Sequence, residues 1–553
     1  MKRITAALSV ALILSLCMSA CRSQPAATAA PTAAPTAAAT ATPAPAATAA
    51  PLQTPAEAET DGGLMYPVPG DRKLTMMKVL DQSVTLVGFT GNFEAPIFVE
   101  WQKQSGVTID LVEPADTTAL LLALSSGDVP DLIHGSRTMY PGGLTKMAED
   151  GLAIDIFDKL PEWAPDYWNM LQSSEIYMKN AMTNMKYVYG IGGYNMPIDS
   201  PFRTWLGMIA RQEYLDAVGM DEIVTNGDLY DFLVAARDQL DLTPPFSTNA
   251  NYINSILTDG RITSAYGLVS SGHYQVNGEY RYGAFEPEYK DALAYLYMLF
   301  TEQLLDNNVQ SNVDDITRAA MINGEAALCV GATSWIAALS NAAEDDPYTL
   351  TGLTSLVANK GEKPLFGHAD KPIVDASWYF ITDACQDIEA AMKFAQYLLS
   401  PDGLILGNYG TEGKTFEYIG GKPTFTDFMN NNPDGHTRDQ LTRAWTAVNW
   451  NTIHLLEMSM QRFPLEMQRK AISNWFVPSR DVYAVINDDI DPAVINEYTT
   501  LWNDIGTYIN ESRIRFITGE EPLSNFDNYL ETLERMGMNR VMEIRQQSYD
   551  LNN

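Results

Sequence analysis

Residues 22–60 decide which part of the chain can fold. The stretch is almost wholly Ala, Pro and Thr, with no aromatic residue and a single leucine, Leu52. Such a segment buries too little apolar surface to offset the entropy of ordering it, so disorder is expected. As a coil its about 40 residues span roughly 35 Å, and the prolines stiffen and lengthen it. Upstream, Lys2 and Arg3 precede an apolar and small-residue run from Ile4 to Leu16. That is the pattern of a secretory signal, too short to span a bilayer and stay. The folded body must therefore come from about Gly62 onward, at the far end of a spacer.

That body has the means to build a large core. Hydrophobic residues make up 46% of the chain and charged residues 19%, an ordinary globular balance. About 490 residues exceed what one core organises, so two lobes are expected. No second run of about twenty apolar residues follows the signal. With 36 basic against 69 acidic residues the formal net charge is −33, and the acids are scattered. This argues against nucleic acid as a partner, because that needs a basic footprint. Cys329 lies in the apolar run Ala326–Val330, read as a buried strand, and Cys385 precedes a helix. Both are expected to be free thiols.

Read in order, Ser83–Gly88 is β-rich, Pro96–Lys103 reads as a helix, and Val107–Val112 as a strand. A helical run from Leu120 to Ser125 leads to a further strand at Leu132-Ile133. Alternating strands and helices imply an open α/β sheet, with ligands gathering at the carboxyl ends of strands. The loops Phe89–Glu94 and His134–Arg137 would occupy such ends. Farther on, Leu293, Leu296, Tyr297, Phe300 and Leu304 share a face at helical spacing within Glu288–Leu305. Ser524 to Asp527 reads as a capping box, Gly537 as a helix stop, and Asp387 as the cap of a helix running to Leu399.

Several patches resemble one family. Ser19 and Ala20 before Cys21 are similar to the lipobox of bacterial lipoproteins, which are cut before the cysteine and fatty-acylated on it. Ser126-Gly127-Asp128-Val129-Pro130-Asp131 resembles a signature of the family 1 extracellular solute-binding proteins of ABC importers. Tyr189-Gly190-Ile191, Arg211 to Met220, Asn323 to Leu328 with Trp335, and Trp378 to Cys385 leading into Ala391–Phe394 match that family in order. Thr411 to Lys414 and Phe516 to Glu520 are similar to its LplA/LipO-like lipoproteins. Leu206–Ala210 departs from the family pattern by lacking an aromatic residue.

The resemblance implies an α/β, two-lobed periplasmic-binding-protein-like fold, with crossing hinge strands and ligand held between the lobes. It divides the chain into a signal at 1–20 and a lipidated Cys21 with its tether at 21–61. Lobe one would take 82–193 and 351–401, and lobe two 194–350 and 402–553. It implies a monomeric, non-enzymatic protein on the extracytoplasmic face of the membrane, palmitate-type lipid at Cys21, delivering an oligosaccharide to ABC permease subunits. No cofactor, no catalytic residue and no metal is expected. A surface lipoprotein that presents ligand to a signalling receptor is the alternative, and a glycan hydrolase a further one.

A sugar site asks for flat rings and oriented polar groups, and the chain has 10 Trp and 27 Tyr. Trp335, after the strand Ala326–Val330, is the leading candidate for a stacking ring. Trp378 could face cleft or core. Asn92, Phe93, Glu94, His134 and Arg137 lie in strand-end loops; Tyr194, Asn195 and Trp205 flank the first crossing; Asp375 and Glu412 could accept hydroxyls. Five scattered histidines form no zinc-protease or nucleophile-elbow motif, and nothing singles out two acids as a glycosidase pair. Asn487 to Asp491 lacks the spacing of a calcium loop and reads as a surface loop or cap.

Overall fold

Thirteen strands of the computed structural model set the frame. They are β1 (Arg72–Lys78), β2 (Val107–Val112), β3 (Leu132–Gly135), β4 (Ile191–Tyr194), β5 (Leu206–Arg211), β6 (Phe246–Ser247) and β7 (His273–Val276). They continue with β8 (Glu279–Tyr282), β9 (Leu328–Ala332), β10 (Leu350–Leu353), β11 (Ile373–Ile381), β12 (Phe416–Ile419) and β13 (Lys422–Phe425). The structure describes residues 66–553 apart from 195, 343–348, 372, 451, 488 and 492. The signal, Cys21, the tether and Asn195 therefore lie outside the described residues.

The first sheet runs β2-β1-β3-β11-β4. β1 is parallel to β2 and β3, with Met76 opposite Leu132, while β11 is antiparallel to β3 and β4. Its strands carry Leu74, Met76, Leu132, Ile133, Tyr379 and Phe380 into a core closed by Phe98 and Trp101 of the helix Pro96–Ser105. Pro96 starts that helix at a position where its missing N–H costs nothing, and Gly106 ends it at φ 78°. The second sheet runs β10-β5-β9-β6 and has its own core around Met208, Leu328, Phe232 and Leu296. The long helix Ile495–Thr518 and the helices Phe526–Met536 and Met538–Asn552 pack on that second core. The molecule is thus two α/β lobes, each with a buried sheet.

The chain passes between the lobes three times. It leaves the first sheet after β4, returns at β11, and departs again after residues 441–450, which close the first core through Ala444, Ala447 and Trp450. The helix Glu466–Trp475 then lays Ala471 and Trp475 beside Leu350 and Ile209 of the second sheet.

Packing draws borders that differ from the expected ones. Ser83–Gly88 is not a strand: Asp81 accepts the N–H of Ser83 and starts a short helix, Gln82–Thr85, and Gly88 turns the chain at φ 94°. The first strand is β1, so the first lobe begins well before residue 82. β10 pairs with β5 in the second sheet. Leu406, Ala444, Ala447 and Trp450 join the first core, while Tyr409, Phe416, Phe425 and Leu441 form a small cluster of their own. β11 and the helix Ile388–Gln396 lie in the first core as expected.

Smaller expectations divide similarly. Asp387 caps its helix by accepting the N–H of Ala390, and Gly537 ends the helix Phe526–Met536 at φ 101°. The capping box at Ser524 does not form: Asn525 precedes that helix without a side-chain bond. Leu293, Leu296 and Leu304 are buried as expected, but Tyr297 is exposed. Cys329 and Cys385 are both buried and unpaired. Among the described residues, no helix is long and apolar enough to cross a membrane.

Candidate functional site

Between the lobes lies a continuous cleft. One cavity of 740 Å³ is lined from the first lobe by Asp81, Gly193, Asp375, Ser377, Asn449, Trp450 and Thr452, from the second crossing by Asp370 and Lys371, and by Arg480 after the helix Glu466–Trp475. A second, of 390 Å³, is lined by Phe202, Trp205, Thr333 and Ser334 at the edge of the second sheet, and by Asp439, Arg462 and Phe463. Asp370, Arg443, Val448, Asn449 and His454 border both, so the two are parts of one space.

The aromatic surface sits on the second lobe. Trp205 immediately precedes β5, is 42% exposed, and stands edge-on to His368 at 4.8 Å. Its indole Nε1 donates to Asp370 Oδ1 at 3.1 Å, and its carbonyl accepts the N–H of Thr333 at 2.8 Å. Both ends of the ring's backbone and edge are thereby fixed while a face stays open. Phe202 and Phe463 stack nearly parallel, 6.1 Å apart, beside it.

The polar groups are mutually oriented. Asp439 takes Arg462 at 2.6 Å and Arg443 at 3.4 Å. Burial pushes its carboxyl up, but the two guanidiniums more than cancel this and hold it below the usual range. Lys371 bonds Asp375 at 3.0 Å, and Asn449 donates to Asp81 at 2.6 Å. Beneath them Arg203, fully buried, donates to Asp481 at 2.6 Å and to the carbonyls of Ile198 and Asp370, tying the first two crossings to the segment that follows the helix Glu466–Trp475. Asp259 is pushed up to about 6 by burial, against the opposing pull of Arg261 and Arg480. His454 is pushed down to about 3, by burial first and then by the charge of Arg462, so it borders both cavities as a neutral imidazole.

The expected site residues scatter. Trp205 and Asp375 line the cleft. Trp335 does not: it is 6% exposed and packs with Ile209, Cys329, Leu339 and Trp475, edge-on to Tyr252 at 5.6 Å. Its neighbours Thr333 and Ser334 reach the cavity, but the rotation of about 100° per residue along the helix carries the ring of Trp335 to another face. Trp378 is fully buried in β11, under the guanidinium of Arg137 at 5.1 Å. Arg137 is a buried tie, not a strand-end contact: it donates to the carbonyls of Asn180 and Met182 and pairs with Asp489 at 2.5 Å.

Asn92 is buried and donates to Val79 O at 3.3 Å and Glu113 Oε1 at 2.5 Å, pinning the loop that exposes Phe93. Glu94 accepts the N–H of Thr90 on the surface. His134 is buried, bonds Ser377 Oγ at 3.0 Å, and borders a further pocket of 250 Å³ that opens off the cleft. Tyr194 contributes its backbone to β4 opposite Ile373. Glu412 lies exposed before β12, outside these cavities. In the segment read as a surface loop, Asn487 donates to the carbonyls of Lys179 and Met182, and Asp488 lies outside the described residues. No group of three potential metal ligands occurs among the described residues.

Sequence reading missed Arg443, Asn449, Trp450 and His454 altogether. Arg443 stands in the last turn of the helix Arg438–Trp445, and the other three in the irregular run after it, where apolar periodicity stops but tryptophan, asparagine and histidine crowd together. That crowding without periodicity was the available signal.

The family described as bacterial extracellular solute-binding protein matches residues 87–405, more than half of the chain. Lipoprotein LipO of Bacillus subtilis is 22% identical over 444 residues, covering 76% of this chain and 82% of that protein. Among solved structures, the alginate-binding protein AlgQ2 aligns with a TM-score of 0.68 at 16% identity, covering 88% of this chain and 99% of that one. A human-milk-oligosaccharide-binding solute-binding protein of Bifidobacterium longum infantis aligns with 0.68 at 15% identity, covering 87% and 99%. The Streptococcus pneumoniae protein FusA, in complex with kestose, aligns with 0.64 at 17% identity, again covering 87% and 99%. The cleft residues 439–463 lie beyond the family match.

Proposed function

Because the chain belongs to the bacterial extracellular solute-binding proteins, we propose that it captures an oligosaccharide in the inter-lobe cleft and delivers it to the permease of an ABC importer. One observation carries the substrate class. An open-faced ring, Trp205, stands across a cavity from oriented hydrogen-bonding groups on the other lobe. A pyranose offers C–H faces that stack on such a ring and hydroxyls that need amides, carboxylates and guanidiniums. The 740 Å³ cavity is within the range of small-molecule sites. AlgQ2, the Bifidobacterium protein and FusA are named for glycans, which is consistent with this class.

The mechanism is hinge closure. Ligand bridging both walls stabilises the closed arrangement, and that arrangement is what the permease would recognise. Cys21 would carry the lipid, the Ala/Pro/Thr segment would act as spacer, and the body would work as a monomer outside the membrane. Asp81 and Asp439, two of the cleft acids, are held below the usual carboxylate range, which disfavours either as a general acid.

Calorimetric titration of the full chain with neutral and acidic oligosaccharides, with product analysis of the same samples, tests this reading. One-to-one binding without cleavage is expected, weakened about 30-fold by Trp205→Ala, the loss of roughly 2 kcal/mol of stacking. Cleavage of the glycan, or binding of peptides alone, would overturn it.

A further inference from the structure

The 250 Å³ pocket beyond the cleft contains a buried cation, Lys78, with no carboxylate in ion-pairing contact among the described residues. Lys78 ends β1, is 7% exposed, and lines this pocket with His134, Ser136, Thr117 and Asn449. An ammonium has three N–H donors. Among the described residues, Lys78 makes one long bond, to the carbonyl of Val79 at 3.4 Å, and lies over the Trp450 ring at 4.8 Å. Every other cation bordering the cleft has a carboxylate: Lys371 has Asp375, Arg443 and Arg462 share Asp439, and Arg480 has Asp481.

The nearest acids are already engaged. Asp81 accepts from Ser83 and Asn449, and Glu113 accepts from Asn92 and the N–H of Phe93. Neither comes within ion-pairing distance of Lys78, although their charges partly oppose the downward push of burial on its ammonium. His134 beside it is neutral, held well below its ordinary range by burial and by Lys78 itself. The amino end of the helix Thr117–Ser125 also borders the pocket through Thr117, although its cap Asp116 adds an exposed carboxylate at that end. A buried ammonium left without a carboxylate is costly, and an entering anion relieves that cost.

We infer that Lys78 marks an anion subsite, so the captured oligosaccharide carries a carboxylate or sulfate that enters this pocket. The pocket shares Ala376 and Asn449 with the 740 Å³ cavity, so one sugar chain can occupy both. The inference rests on the cleft being a glycan site.

The test titrates the full chain with an oligouronate, the same oligomer with its carboxyls reduced to alcohols, and a sulfate ester of that neutral oligomer. At least one acidic form should bind about 30-fold more tightly than the neutral one, and Lys78→Met should remove most of that difference. Preference for the uronate identifies a carboxylate, and preference for the ester a sulfate. The ratio among the three ligands on the unmodified chain decides the matter even if the variant does not fold. Equal or preferred binding of the neutral oligomer would overturn the anion subsite and leave the glycan receptor standing. Binding of none of the three, nor of any neutral oligosaccharide, would overturn both.

Discussion

The two walls of the cleft use the same kinds of residue in opposite ways. On the first lobe the rings lie behind the surface: Trp450 is 4% exposed, stacked on Phe98 at 5.3 Å and edge-on to Trp101 at 5.5 Å. What that wall presents is polar, with Asp81, Ser377 and Asn449 in front. On the second lobe the rings come forward, with Trp205 open and Phe202 and Phe463 paired beside it. The difference is backing. A ring placed over a sheet and covered by a helix is drawn into the core, whereas Trp205, before the first residue of a strand, has no layer above it. The number of tryptophans in the chain therefore does not locate the ligand; the layer behind each one does.

The strongest way to break this contrast is to remove rings from each class. Trp450→Ala and Trp335→Ala should each cost about 3–5 kcal/mol of stability by leaving cavities in packed cores. Trp205→Ala should change stability by about 0.5 kcal/mol or less while weakening glycan binding. Urea unfolding followed by circular dichroism reads the first effect and titration the second. If Trp335→Ala unfolded like the unmodified chain yet lost the ligand, Trp335 would be a stacking ring after all and the backing argument would fail.

A smaller effect is expected where the walls are tied. Asp439 belongs to the helix Arg438–Trp445, which packs on the first lobe, and its partner Arg462 closes the helix Leu456–Arg462 that leads to the second. Asp439→Asn keeps the shape but removes the charge, and should cost about 1.5 kcal/mol, the scale of a hydrogen bond to a charged group. Affinity should fall with it, since Arg443 and Arg462 lose the group that orients them. An unchanged unfolding midpoint and unchanged affinity would mean the walls are not joined through this carboxylate.

How far the sequence carried the structure can be judged from particular places. Local signals located three helices: Pro96 at a first turn, Asp387 as a cap, and the apolar face begun by Phe526 with Gly537 as its stop, although the capping box read at Ser524 does not form. β1 escaped because Met76 and Met77 stand between charged ends and give no clean alternation. Trp335 was misplaced by one or two residues of helical rotation: the strand-to-helix junction was legible, but which face of Thr333–Ala342 meets the core depends on the helix Glu466–Trp475, more than a hundred residues away in the chain. The cleft residues 446–454 were invisible for the same reason, because an irregular segment takes its role from the two lobes it lies between.

A pH-dependent effect is expected at His454, which borders both cavities. In the unfolded chain its imidazole titrates near its ordinary value of 6.5, whereas in the folded chain burial and Arg462 hold it down to about 3. Between those values the unfolded state binds the proton and the folded state does not. The stability contributed by the neutral ring is therefore fully present above pH 6.5 and is lost progressively as the pH falls toward 3. Asp259, raised to about 6, has the opposite sign: its contribution is present in acid and is lost as the pH rises through 6. Comparing the unmodified chain with His454→Gln removes that background, since both retain Asp259. The melting temperature of the variant should gain on that of the unmodified chain as the pH is lowered from 7 to 5. A difference that stays constant over that range would mean the imidazole takes up a proton in the folded cleft, and that this part of the wall is wetter than its packing indicates.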